Sequence, residues 1–159
     1  GRVGRLLITL YLVDKEILKQ PILYLSDFFE RNKTLYYDNL MRARTHNDLK
    51  QWLKFFLVGV IETAKNGVQT FDDILKLKAQ SESAIQQLGT RANNIQKVFN
   101  YLLKRPIIDV NIVIEITAAS QKTAYNIIEE LEKLEIIQEI TGAKRGKVYA
   151  FKKYLNLFN

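Results

Sequence analysis

From Val3 to Leu18 apolar residues crowd nearly all faces of a helical period, and Pro21 follows shortly after. This pattern predicts a largely buried helix that the proline stops. Ser26 then precedes "DFFERNKTLYYDNLMRAR", and predicts the N-cap of one long helix with Asp27 and Glu30 in its first turn, at the positive end of the dipole. After "THND", Leu49, Trp52, Leu53, Phe56, Leu57 and Val60 recur at helical spacing, and Asn66-Gly67 predicts the end of that helix. Trp52, Phe55 and Phe56 are large rings at helical spacing, which is the signature of core packing.

A polar amphipathic helix is expected from about Thr70 to Leu88, with Ile74, Leu77, Ala84 and Leu88 inward, and Gly89 permits a break after it. Helices near Ile95–Leu103, Val110–Ile116 and Gln121–Leu134 come next. Then "IIQEITGAKRGKVYAF" alternates like two short strands around a Gly142–Gly146 turn. Three helices and a two-stranded wing, in that order, are the parts of a winged helix-turn-helix domain. Ala118-Ala119-Ser120 supplies the turn and Ser120 the cap of the third helix. That helix is expected to bury Thr123, Ala124, Ile127, Ile128, Leu131 and Leu134, and to present Gln121, Lys122, Tyr125, Asn126 and Glu129 outward. The predicted fold class is mainly α, with a small β-hairpin.

Composition narrows the chemistry. Of the 159 residues, 47% are hydrophobic and 26% charged, the balance of a folded globular chain, and no apolar run reaches the roughly 20 residues of a membrane span. The absence of Cys excludes disulfides and a thiolate nucleophile, and His46 as the only imidazole argues against a zinc site, so no metal ligands are assigned. The expected compartment is the cytoplasm. A net charge of +7 suits polyanionic partners and also serves solubility. Lys144, Arg145 and Lys147 on the wing are candidates for DNA phosphate contacts alongside Gln121, Lys122, Tyr125 and Asn126, while "EELEKLE" sets carboxylates close behind the reading positions. A winged helix serves equally as a protein-docking module, and the sequence leaves both open.

The opening "GRVGRLLITLYLV" places Arg2 and Arg5 three apart at a helix start, beside free backbone N–H groups. That outlines an anion site, and an exposed basic terminus reads the same way. Gly1, Arg2 and Arg5 match the last Gly-Arg-x-x-Arg of the Fic family signature, His-x-Phe-x-(Asp/Glu)-Gly-Asn-Gly-Arg-x-x-Arg. The stretch "LYLSDFFERNKTLYYDNLMRARTHNDLKQWLKFFLVGVIETA" resembles the helices that follow this signature, and "TAYNIIEELEKLEIIQEITGAKRGKVYAF" resembles the winged helix many such proteins carry.

By that resemblance residues 1–67 are the C-terminal helices of a Fic core, 68–90 a connector helix and 91–159 a winged helix-turn-helix domain. The parent enzymes transfer AMP from ATP, with Mg²⁺, to a hydroxyl of a protein target. Arg2 and Arg5 would then hold the β and γ phosphates, with Gly1 lending an amide, and Tyr36 and Tyr37 would lie near the nucleoside, Arg44 matching only loosely. The motif His would lie upstream of Gly1, and His46, in a polar interhelical stretch, cannot replace it. The expectation is a fragment without transferase activity or cofactor of its own. No inhibitory (Ser/Thr)-x-x-x-Glu-(Gly/Asn) motif is found in the chain. The rival expectation is a DNA-binding transcriptional regulator whose first helices mediate dimerisation. Association of two copies through apolar surface is expected in either case.

Overall fold

The computed structural model describes residues 2–18 and 25–158, with the side chains of residues 2–5 and of Thr9 outside the description. Pro21, the expected helix stop, lies outside the described residues, as does Gly1. The chain is mainly helical and divides into two compact units, residues 1–69 and 70–159.

In the first unit, α1 (Arg2–Asp14) ends four residues earlier than the apolar pattern predicts. Glu16 takes a left-handed conformation (φ 56°), and the Leu18 N–H turns back to the Leu12 carbonyl. Nor is α1 largely buried. Ile8 packs on the aromatic core, whereas Leu6, Leu7, Leu10 and Tyr11 face solvent.

The single helix expected after Ser26 is two. α2 (Leu25–Arg31) takes Ser26 into its first turn, so Ser26 is not its N-cap, and α3 (Lys33–His46) starts anew after Asn32. At the break Asn32 leaves the helical region (φ −109°, ψ 36°), and its side-chain amide and its own N–H both donate to the Phe28 carbonyl (3.0 Å each). Asp27 sits in the first turn of α2 and pairs with Arg31 (2.9 Å), but Glu30 falls near its end, 3.7 Å from Lys33. Asn47 closes α3 in the left-handed region (φ 54°), and Asp48 accepts from the Gln51 N–H (3.2 Å) at the entry to the next helix.

That helix, α4 (Leu49–Gln86), runs through Asn66-Gly67 without stopping. A helical Gly costs about 1 kcal/mol relative to Ala, which a long helix with packed flanks absorbs. The first unit's core is Leu25, Phe28, Phe29 and Tyr36, with Trp52, Phe55, Phe56 and Val60 of α4 packed against it. Leu49, Leu53 and Leu57, which share the same helical spacing, are exposed.

In the second unit the remainder of α4 packs Leu77 and buried Ile85 on the core, with Ser81 also buried; Ile74, Ala84 and Leu88 are half-buried. Gly89 (φ 62°) breaks the chain as expected, through a short 3₁₀ turn. α5 (Ala92–Leu102), α6 (Val110–Thr117) and α7 (Gln121–Lys133) follow, close to their predicted limits, and α6 packs on both of the others. β2 (Gln138–Glu139) and β3 (Val148–Ala150) form the predicted antiparallel hairpin. A strand the pattern does not predict, β1 (Ile107–Asp109), pairs antiparallel with the other edge of β3, giving the order β1-β3-β2. The short α8 (Lys152–Leu155) follows, and Phe99, Phe151, Leu102, Ile108, Val113 and Leu131 fill the centre.

Candidate nucleic-acid interface

Local chemistry sets α7. The Asp109 carboxylate accepts from the Ile112 N–H (2.9 Å) and caps α6; Ala118 (φ 51°) ends it in the left-handed region; the Ser120 hydroxyl accepts from the Thr123 N–H (3.3 Å) and starts α7. Ala124, Ile127, Ile128 and Leu131 are buried, which fixes the helix's roll. Gln121, Lys122, Tyr125, Asn126 and Glu129 are therefore exposed, as the spacing predicts. Thr123 departs from prediction: it is exposed, its hydroxyl 3.0 Å from that of Ser120.

The hairpin is pinned at its neck. The Ile140 N–H donates to the Val148 carbonyl (2.9 Å), and the Thr141 hydroxyl accepts from the Val148 N–H (3.3 Å) while donating to Glu139 (2.7 Å). Gly142 and Gly146 turn the chain with φ of 63° and 65°. Lys144 and Arg145 occupy the tip, exposed and without an ion pair among the described residues. Lys147 differs, because its ammonium lies 3.7 Å from the Glu139 carboxylate. Tyr149 is buried at the foot of the hairpin, and that burial, with Glu132 and Glu139 nearby, pushes its hydroxyl pKa up.

The acidic run behind the exposed α7 front is largely answered within the unit. Glu129 pairs with Lys133 (2.8 Å), Glu130 with Arg91 (3.0 Å) and Glu135 with Lys153 (2.8 Å). The hydrogen bond from Lys133 lowers the Glu129 pKa, that from Lys153 lowers Glu135, and the Thr141 hydroxyl does the same for Glu139. Lys122, Lys144 and Arg145 have no such partner among the described residues. Pairing leaves the unit's net charge unchanged, and among the described residues it leaves Lys122, Lys144 and Arg145 as the cations of the α7 front and hairpin tip that no carboxylate answers.

Sequence reasoning misses a cleft of about 520 Å³ beside α7, lined by Thr90, Arg91, Asn94, Thr123, Asn126 and Glu130. The polar "TRANN" run opening α5 is its only trace in the sequence.

At the other candidate site, Arg2 and Arg5 fall in the first turn of α1, with side chains outside the description. Tyr36 and Tyr37 do not share a face. Tyr36 is 8% exposed, its ring 5.0 Å from Phe29 and 5.7 Å from Trp52, whereas Tyr37 is 53% exposed. Arg44 is exposed at the end of α3, and His46 is exposed with Nδ1 2.7 Å from the Thr45 hydroxyl. Among the described residues no cluster of acidic and imidazole groups could hold a metal, and no helix is long and apolar enough to cross a membrane. No protein-family model matches this chain.

Proposed function

We propose that residues 70–159 are a winged helix that binds double-stranded DNA, with α7 facing the major groove and the 142–146 hairpin on the backbone. One observation carries this reading. The exposed α7 front and the hairpin tip hold Lys122, Lys144 and Arg145 without ion pairs among the described residues, while Glu129, Glu130, Glu135 and Glu139 are tied to cations of the same unit. Gln121 and Asn126 supply the amide groups that read purine edges, and the hairpin cations supply position without sequence preference. The full chain should retard duplex DNA, with affinity falling steeply as salt rises. Changing Lys144 and Arg145 together to Gln should weaken binding about tenfold and flatten the slope of log K against log salt by about 2, since each phosphate contact contributes about −0.9. An unchanged affinity and slope would make the face a protein-docking surface instead.

A second reading rests on the match of Gly1, Arg2 and Arg5 to the Gly-Arg-x-x-Arg end of the Fic signature. In it residues 1–67 close a Fic core, whose parent binds ATP and Mg²⁺ and transfers AMP to a protein. His46 is a poor base in this reading: it is exposed and hydrogen-bonded to its own neighbour. This chain incubated with labelled ATP, Mg²⁺ and a lysate should transfer no label; robust transfer would overturn the placement of the catalytic base outside it.

A further inference from the structure

The feature that neither reading uses is the exposed apolar seam of α4. Leu53 (55% exposed), Leu57 (55%), Val58 (55%), Ile61 (54%) and Val68 (64%) lie open on a helix whose other side is occupied. If Ile61 and Val68 are lettered a of a heptad, Leu57 and Ala64 become d, Leu53 becomes g and Val58 becomes e. Trp52 and Gly59 then fall at f, Phe55 at b and Phe56 at c, the positions across the helix from the seam, and these pack on the first unit's aromatic core, with Val60 at g on the boundary of the packed side. The fold covers one side of α4 and leaves the a/d side free.

We infer that this seam pairs with the same seam of a second copy, as a parallel two-stranded coiled coil over residues 53–68. Three features select a copy of this chain over an unrelated partner. β-branched residues at a (Ile61, Val68) with Leu57 at d are the combination that favours parallel two-stranded pairing. In that pairing g of one helix meets e of the next heptad on the other, so exposed Leu53 meets exposed Val58 of the partner copy, and each covers the other's apolar surface. The open area is of the right order: five half-exposed side chains of on the order of 100 Å² each give roughly 500 Å², to which Ala64 and the lysine stems add, against the roughly 800 Å² per partner of a standard interface. Lys50 at d and Lys54 at a end the seam on one side. In the sequence the spacing continues through Phe71 and Leu75, both exposed, before Lys78 and Glu82 end it.

The absence of native cysteine makes the pairing directly readable. Sedimentation of the full chain at about 10–50 μM should give a dimer, and Ile61→Glu should weaken it at least about 100-fold while keeping the helical circular dichroism. If Ile61→Glu does not fold, oxidative cross-linking decides. Leu57→Cys should form a disulfide-linked dimer readily, because d faces d in a parallel pair, and Asn66→Cys, at f, should not. A monomeric wild type, a dimer unaffected by a folded Ile61→Glu, or equal cross-linking at 57 and 66 would overturn the inference.

Discussion

Replacing Phe99 with alanine is expected to destabilise the C-terminal unit by about 3–5 kcal/mol, much of what a domain of this size has in total. Phe99 is fully buried on α5, and its ring lies 5.9 Å from that of Phe151. Phe151 is itself fully buried, stacks on Tyr154 (5.6 Å) and donates its N–H to the Pro106 carbonyl (2.8 Å). The pair therefore joins α5 to the end of the sheet. Truncation leaves a cavity that close-packed neighbours cannot fill by a rotamer change, so the cost includes the void as well as the lost burial. Urea unfolding followed by circular dichroism should show the loss, and Phe99→Leu should lose less than about 1.5 kcal/mol. DNA retardation by Phe99→Ala should fall with the folded fraction. A variant that unfolds at the wild-type urea midpoint would refute the placement of Phe99 at the centre of this core.

What the sequence made legible were features whose physics is local. Ser120 as a cap, the Ala118-Ala119-Ser120 turn, and the paired glycines of the hairpin are each decided within four or five residues, and each stands where the pattern put it. The roll of α7 was equally readable, because four apolar positions at helical spacing leave one outward face. Strand β1 was not. It is three residues long, carries no alternation, and exists because β3, about 40 positions later, offers an unpaired edge. The Arg91–Glu130 pair, 39 positions apart, is hidden for the same reason, so the sequence does not show that this carboxylate of the α7 acidic run has a partner. The predicted helix divides where the Asn32 backbone leaves the helical region (φ −109°, ψ 36°), a single-residue change that helical periodicity does not register. On α4 the apolar arc is wider than any one partner, so periodicity could not say that the Trp52 side would be covered and the Leu53–Leu57 side left open. Of the family-based site, the structure shows Tyr36 engaged in packing and Tyr37 exposed, and the side chains of Arg2 and Arg5 lie outside the described residues.

The two α4 glycines of the first unit, eight positions apart, should respond to the same substitution with opposite sign. A Cβ built on Gly59 would stand 2.6 Å from Cδ1 and Cε1 of Phe28, closer than nonbonded carbons approach. The Phe28 ring has little room to yield: it is 3% exposed, edge-on to Phe29 at 5.9 Å and tilted against Phe55 at 5.3 Å. Overpacking of this kind costs about 1–3 kcal/mol, against a gain of about 1 kcal/mol from replacing a helical glycine. Gly59→Ala should therefore destabilise the first unit by up to about 2 kcal/mol, and Gly59→Val by more. At Gly67 no atom lies within 4 Å of the added Cβ, so only the backbone gain remains, and Gly67→Ala should stabilise by about 0.5–1 kcal/mol. Trp52, the chain's one tryptophan, packs on the same aromatic cluster and gives the fluorescence readout for both variants. Equal midpoints for Gly59→Ala and Gly67→Ala would mean that α4 and α2 do not meet through the Gly59–Phe28 contact. Opposite shifts would establish that contact as the reason α4 presents its Trp52 side inward, and with it the reason the Leu57–Val68 seam faces out.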